Sequence, residues 1–210
     1  MTAVQMSATD SVTNMDPRTE ALLRRAFKQF NRFTLLLWRL GIGPWMGAWP
    51  PVTGQFFVLV HTGRKTGLQR RTPLNYALVD GELYCTAGFG AVADWYRNVK
   101  ANPHVEVWLG NGWWEGVAEE ITDPAQRLLL LRAVLKGSGF AALLAGIDPH
   151  RMPDDELEAA CRGYCVLRVR RAAARTGDGG PGDLAWVWPA VAFGLLGLLL
   201  AVLPRLSCRR

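Results

Sequence analysis

The chain has 210 residues, half of them hydrophobic and a fifth charged, and its formal net charge is +6. This composition is typical of a folded protein with one apolar appendage, and it excludes a chain that is disordered throughout. The charge alone suits nucleic acid, an anionic membrane surface or a phosphorylated ligand. Four cysteines and three histidines lack the short paired spacings of a zinc site, so no metal is expected.

The amino-terminal region divides into two segments. Residues 1–16 are polar, carry no apolar stretch behind a basic start, and predict a disordered N-terminus without a secretory signal. Residues 17–43 predict a basic amphipathic helix that is broken at Gly41, since its apolar positions recur at helical spacing. Two interpretations stay open for this helix: it packs on a core with its basic face in water, or it lies in the plane of a membrane surface.

A series of hairpins predicts a mostly antiparallel sheet. Runs of aromatic and β-branched residues alternate with turns whose Gly, Asn and Asp residues tolerate positive φ. The predicted strands are Phe56–Thr62, Arg71–Val79, Leu83–Ala87, Val105–Leu109, Trp113–Ile121 and Tyr164–Val169. Helices are predicted at Val92–Ala101, at Pro124–Lys136 and after Pro153. The segment 52–170 is therefore an α+β domain, and closure into a small barrel would remove its exposed edges.

The carboxy-terminal region predicts a membrane anchor. After an Arg- and Gly-rich linker at 171–183, Leu184–Pro204 carries no charge. At about 1.5 Å per residue this segment crosses a hydrocarbon core of roughly 30 Å, which predicts a C-terminal transmembrane helix over 184–204. The sequence thus predicts a single-pass membrane protein whose globular domain we place on the cytoplasmic side.

A basic turn after the first strand is the clearest candidate for a binding site. Gly63-Arg64-Lys65-Thr66-Gly67, followed by Arg70 and Arg71, concentrates cations around flexible backbone. Arginine binds phosphate or carboxylate with two parallel hydrogen bonds, and glycines let amides converge on an anion. A solvated surface turn is the alternative. The patterns of common nucleotide-binding loops are missing, and nucleic acid is not expected because the interleaved aromatics of a stacking platform are missing too.

Further motifs follow the basic turn in order. They are Pro73, then Thr86-Ala87-Gly88-Phe89-Gly90, then Trp95-Tyr96-Arg97-Asn98, and then Lys100-Ala101-Asn102-Pro103. This ordered set resembles the deazaflavin (F420)-dependent nitroreductase family of the split β-barrel flavin and deazaflavin oxidoreductases. The resemblance covers Phe56–Val107 strongly and extends weakly to Val169. It implies an FMN-binding-like split β-barrel with inserted helices.

The resemblance also implies an activity. The expected function is hydride transfer from reduced coenzyme F420, with FMN as the alternative cofactor, to an electron-poor, lipophilic acceptor at a membrane. Quinones, nitro compounds and enones are the acceptor classes. A second class of function stays open, namely a non-catalytic, membrane-anchored module that binds flavin, haem or another tetrapyrrole. A homodimer is possible.

Site residues are carried over from the resemblance. The cofactor's phosphate and acidic tail would be held by the basic turn, meaning its backbone amides and Arg64, Lys65, Thr66, Gly67 and Arg70. Pro73, Ala87 and Gly88 would lie near the deazaflavin ring, and Trp95, Tyr96 and Asn98 would complete the wall. Tyr96 and Tyr164 are the candidate proton donors, with water as the alternative source.

Overall fold

The structure is a computed structural model that describes residues 29–48 and 54–207. Six antiparallel strands close into a barrel in the order β1-β2-β3-β6-β5-β4. The strands are β1 Phe56–Thr62, β2 Gln69–Val79, β3 Glu82–Ala87, β4 His104–Leu109, β5 Gly112–Glu120 and β6 Cys165–Ala174. The predicted antiparallel barrel is confirmed. The predictions for residues 1–16, for helical positions 17–28 and for the domain start at 52–53 lie outside the described residues.

Helices surround the barrel. They are α1, described over residues 29–39, α2 Asp94–Ala101, α3 Pro124–Lys136, α4 Phe140–Leu144, α5 Asp154–Ala160 and α6 Val187–Ser207. Helix α3 begins as predicted, because the Asp123 side chain accepts a hydrogen bond from the Gln126 amide at 2.8 Å. Helix α2 begins later than predicted because Gly90–Val92 forms a 3-10 turn. Helix α4 has no counterpart among the predicted elements.

Strand β1 is buried on both faces. Phe57 and Leu59 belong to the cluster inside the barrel, whereas Val58 and Val60 pack on the outside with Trp38 of α1. Trp38 is 1% exposed, so the described part of the basic helix packs on a core. On the other side of the barrel, a separate cluster joins α3 to the outer faces of β2, β3 and β6. Helix α1 therefore lies against β1, close to the turn that follows it.

The first residues of the predicted linker belong to a strand. Strand β6 continues to Ala174, where Arg170 and Arg171 pair with Val117 and Gly116 of β5. The strand extends beyond the predicted end at Val169 because its later residues still find hydrogen-bonding partners on β5, although they are basic or small. The linker prediction for 171–183 is therefore wrong over its first residues.

The predicted apolar segment Leu184–Pro204 is helical from Val187 onward. Over the part of the chain that is described, no helix combines the length and apolar character needed to cross a membrane, which corrects the transmembrane prediction. The start of the segment is bound to the domain: the Leu184 amide donates to the Arg39 carbonyl at 2.8 Å. The Trp188 indole donates to the Leu40 carbonyl at 2.9 Å.

Candidate functional site

A cleft of about 890 Å³ lies beside the β1–β2 turn. Five elements line it. The turn contributes Gly63, Arg64, Lys65 and Thr66, β1 and β2 contribute His61, Gln69, Arg70, Arg71 and Thr72, α2 contributes Asp94, Trp95 and Asn98, and α1 contributes Arg32, Leu35, Leu36 and Arg39. The cleft is thus built between the barrel and the helix that covers its side.

Strand register brings three polar side chains together at one end of the barrel. His61 pairs with Arg70, and Leu59 pairs with Thr72. Paired residues of an antiparallel ladder share a face, and alternate residues along a strand share it too. His61, Arg70 and Thr72 therefore continue the inward row that Leu59 occupies in the core. Pro73 lies on the opposite face of β2.

Asn98 connects the basic turn to this inward row. Its side-chain oxygen accepts hydrogen bonds from the Arg64 amide at 3.1 Å and from Arg64 Nη1 at 2.9 Å. Its side-chain nitrogen lies 3.3 Å from His61 Nδ1. Because an amide nitrogen only donates, Nδ1 must be the acceptor, and Nε2 carries the proton that is donated to Thr72 Oγ1 at 3.1 Å. The chain of bonds fixes the position of the turn relative to the barrel.

His61 is uncharged near neutral pH. It is 3% exposed, and its burial, together with the nearby Arg70 cation, lowers its pKa to about 4. The hydrogen-bond roles assigned above require this neutral form. The positive charge of the cleft therefore comes from lysine and arginine alone.

Acidic residues neutralise only part of that charge. Arg64 pairs with Asp94 at 2.9 Å, and this hydrogen bond lowers the pKa of Asp94. Lys65 and Arg70 form no hydrogen bond or ion pair with any residue that the structure describes. Arg71 donates to the Gly179 carbonyl at 3.1 Å and has no acidic partner among the described residues. A concave site with unpaired cations favours a ligand that carries several negative charges.

Most of the turn amides already have hydrogen-bonding partners within the protein. The Thr66 and Gly67 amides donate to the Gly63 carbonyl at 3.2 and 2.8 Å, and the Gly63 amide donates to the Leu68 carbonyl at 2.9 Å. The Arg64 amide is bonded to Asn98. Gly67 adopts a φ of +66°, which glycine tolerates because it has no Cβ, and so permits the turn. An anion would thus be bound mainly by side chains.

The predicted site residues fall into two groups. Those that line the cleft are Arg64, Lys65, Thr66, Arg70, Trp95 and Asn98. Those that do not line it are Gly67, Pro73, Ala87, Gly88 and Tyr96. Pro73 pairs with Val58 and so faces away from Arg70 and Thr72. Ala87 is buried in the barrel, and Gly88 lies beside the Tyr164 ring.

Neither candidate proton donor lines the cleft. The Tyr96 hydroxyl donates to Glu120 Oε2 at 2.7 Å, and Lys100 Nζ lies 3.0 Å from the same oxygen. Burial, assisted by Glu120, raises the pKa of Tyr96. Burial likewise raises the pKa of Tyr164. Both phenols therefore hold their protons more firmly than a free tyrosine, and the structure gives neither a position on this site.

Sequence reasoning missed several lining residues. His61 is missing from the predicted site residues, although the alternation of Phe57, Leu59 and His61 already places it in the inward row. The position of Arg32 and Arg39 in the cleft could not be predicted from the sequence pattern. Helical periodicity identifies the faces of α1 but not the element that each face contacts.

The lining residues fit coenzyme F420, whose phosphate and glutamyl tail are anionic. Lys65 and Arg70 are available to hold the phosphate, and Trp95 supplies an aromatic wall for a ring. The fit rests on the unpaired cations of the cleft and on the orientation that Asn98 imposes on the turn. The fold and the site thus define a barrel that binds an anionic cofactor.

The chain belongs to the F420H(2)-dependent quinone reductase family, whose model matches residues 44–149. It is an F420-dependent oxidoreductase, and family membership decides against the non-catalytic module and in favour of F420 over FMN. The comparison with curated proteins found no matching sequence.

Solved structures with similar folds include proteins of different kinds. A conserved hypothetical protein of Mycobacterium tuberculosis is 18% identical, with 59% of this chain and 76% of that chain covered and a TM-score of 0.45. An F420-H2 dependent reductase is 23% identical, with coverage of 55% and 94% and a TM-score of 0.40. The heme storage protein HutZ of Vibrio cholerae is 12% identical, with coverage of 61% and 89% and a TM-score of 0.39. The assignment of the chain to its family therefore rests on the family model alone.

Proposed function

We propose that this F420-dependent oxidoreductase reduces a lipid-soluble quinone on the cytoplasmic side of a membrane. The observation that carries the proposal is a cleft that presents both cations and apolar side chains. Lys65 and Arg70 supply cations, whereas Leu35, Leu36 and Trp95 supply apolar surface. The cations suit the cofactor's anionic tail, and the apolar surface suits a hydrophobic acceptor.

The residues of the cleft position charge, and neither Asp94 nor His61 is a proton donor. When bound, reduced F420 supplies a hydride, and a quinone needs one further proton to become a quinol. Asp94 stays ionised because Arg64 holds its pKa down, and the His61 N–H is donated to Thr72. The last proton therefore comes from water in the cleft, and the chain contributes mainly positioning.

Exposed apolar side chains support a location at the membrane surface. Phe193, Leu195 and Leu198 of α6 are 73%, 60% and 62% exposed. Helix α6 begins next to the end of α1, where Trp188 bonds to Leu40, and α1 lines the cleft. Contact between α6 and a membrane surface would bring the cleft close to a lipid-dissolved acceptor and raise its effective concentration.

Quinone-dependent oxidation of reduced F420 tests the proposal. Wild type and the double variant Leu195→Glu/Leu198→Glu are assayed with a water-soluble quinone and with a menaquinone in liposomes. We expect equal rates with the soluble quinone. With the liposomal quinone the variant should be slower by about tenfold or more, because two carboxylates weaken the apolar contact that concentrates enzyme near substrate.

A matched control is Leu129→Glu/Leu143→Glu, which places the same charges at leucines that are 64% and 58% exposed on α3 and α4. This control should behave like wild type in both assays. Equal liposomal rates for wild type and the α6 variant would contradict the location. Oxidation that never exceeds the enzyme-free rate with any quinone, despite bound cofactor, would contradict quinone reduction.

A further inference from the structure

The cleft has a wall that the family-matched residues 44–149 do not supply. Arg32, Leu35, Leu36 and Arg39 of α1 all line the cleft. Since the matched residues begin after α1, this wall lies outside the part of the chain on which its family assignment rests. The opposite wall, with Lys65 and Arg70, lies inside the matched region.

Contacts from the far end of the chain hold α1 in place. Both oxygens of Asp183 accept hydrogen bonds from Arg39, with distances of 2.8 to 3.0 Å. The Gly182 amide donates to the Trp38 carbonyl at 3.0 Å, next to the Leu184 bond to Arg39 described above. Together with the buried Trp38 ring, these bonds give α1 a fixed position over the cleft. They also neutralise Arg39.

Arg32 differs from Arg39 in having no such partner among residues 29–48 and 54–207. The two residues lie seven positions apart, which is about two helical turns, so they share one face of α1. Arg32 forms no hydrogen bond or ion pair with any residue that the structure describes, and its side chain is exposed. It therefore adds to the wall that faces the β1–β2 turn a cation that has no partner among the described residues.

We infer that Arg32 is a further binding residue for the acidic tail of F420, which extends from Lys65 and Arg70 toward α1. The inference rests on the F420-dependent function and adds the direction of the tail. A glutamyl tail carries carboxylates beyond the phosphate, and a guanidinium group binds a carboxylate with two parallel hydrogen bonds. Arg32 thus supplies the tail with a cation that the turn does not provide.

Two ligands separate a tail contact from any other role of Arg32. One is F420, and the other is the same deazaflavin ring without phosphate and tail. Each ligand is titrated into wild type, Arg32→Ala, Arg32→Lys and the control Arg162→Ala. The control removes an equal charge from an exposed site outside the cleft. Melting temperatures verify that each variant folds.

Arg32→Ala should weaken F420 binding by roughly two- to fivefold at low salt, because an exposed ion pair contributes modestly. The loss should shrink as salt is raised, because screening acts over about 10 Å at 0.1 M. Arg32→Lys should retain part of the affinity, and Arg162→Ala all of it. Affinity for the tail-less ring should be equal in all four proteins.

An unchanged F420 affinity in Arg32→Ala would overturn the inference, as would an equal loss for both ligands. Either result would leave the proposed function standing if wild type and Arg32→Ala still reduce quinone. Failure of wild type to bind F420 at all would overturn both.

Discussion

Replacement of Arg70 by alanine is expected to weaken F420 binding by roughly ten- to a hundredfold, with little change in the stability of the free protein. Arg70 belongs to the inward row at the end of the barrel, next to His61, and has no acidic partner among the described residues. Charge-assisted hydrogen bonds contribute about 1.5–3 kcal/mol each, which corresponds to that loss. Removing Arg70 from the free protein breaks no ion pair within the part of the chain that the structure describes.

Titration of F420 into wild type, Arg70→Ala and Arg162→Ala measures the effect at constant salt. Arg162→Ala lowers the net charge equally but leaves the cleft intact, so its affinity should match that of wild type. Arg70→Lys should fall between the two, because an ammonium group keeps the charge and loses the paired geometry. Equal affinity in wild type and Arg70→Ala would refute the assignment of the anion site.

Replacement of Asn98 by alanine is expected to lower both stability and cofactor affinity. Asn98 is 7% exposed, and its loss leaves the Arg64 amide and His61 Nδ1 without their described partners. Each buried group left unsatisfied costs about 1–3 kcal/mol. For a chain of this size, a total of about 2–4 kcal/mol lowers the melting temperature by about 5–15 °C.

Asn102→Ala is the matched control for Asn98. Asn102 directly follows the last residue of α2, and its side chain accepts one exposed bond from the His104 amide at 3.1 Å. Thermal unfolding of both variants should show a large loss for Asn98→Ala and a small one for Asn102→Ala. If the two variants have the same melting temperature, the hydrogen bonds of Asn98 do not hold the turn as described.

The parts of the fold that were predictable from sequence depend on local chemistry. Strand β1 has its predicted bounds because Gly63 opens a turn immediately after a β-branched run. Helix α3 has its predicted bounds because Asp123 caps it and Pro124 enters its first turn. These signals act within a few residues, so one sequence is sufficient to locate them.

The parts that were not predictable depend on contacts between distant residues. The bond between Arg39 and Asp183 spans 144 positions, and together with the packing of Trp38 on β1 it holds α1 beside the cleft. Tyr96 is adjacent to Trp95 in sequence, yet only Trp95 lines the cleft, because Tyr96 turns toward the barrel core and Glu120. Composition likewise could not show that the start of the apolar segment at Leu184 is bonded to α1.

A crystal structure of the protein with F420 tests the central assignment most directly. We predict that the phosphate lies at hydrogen-bonding distance, about 2.7–3.0 Å, from Lys65 Nζ and from the Arg70 guanidinium group. The deazaflavin ring should then contact Trp95. A cofactor bound instead in the smaller cleft lined by Glu106 and Arg175, with Lys65 and Arg70 free of contact to it, would contradict the assignment.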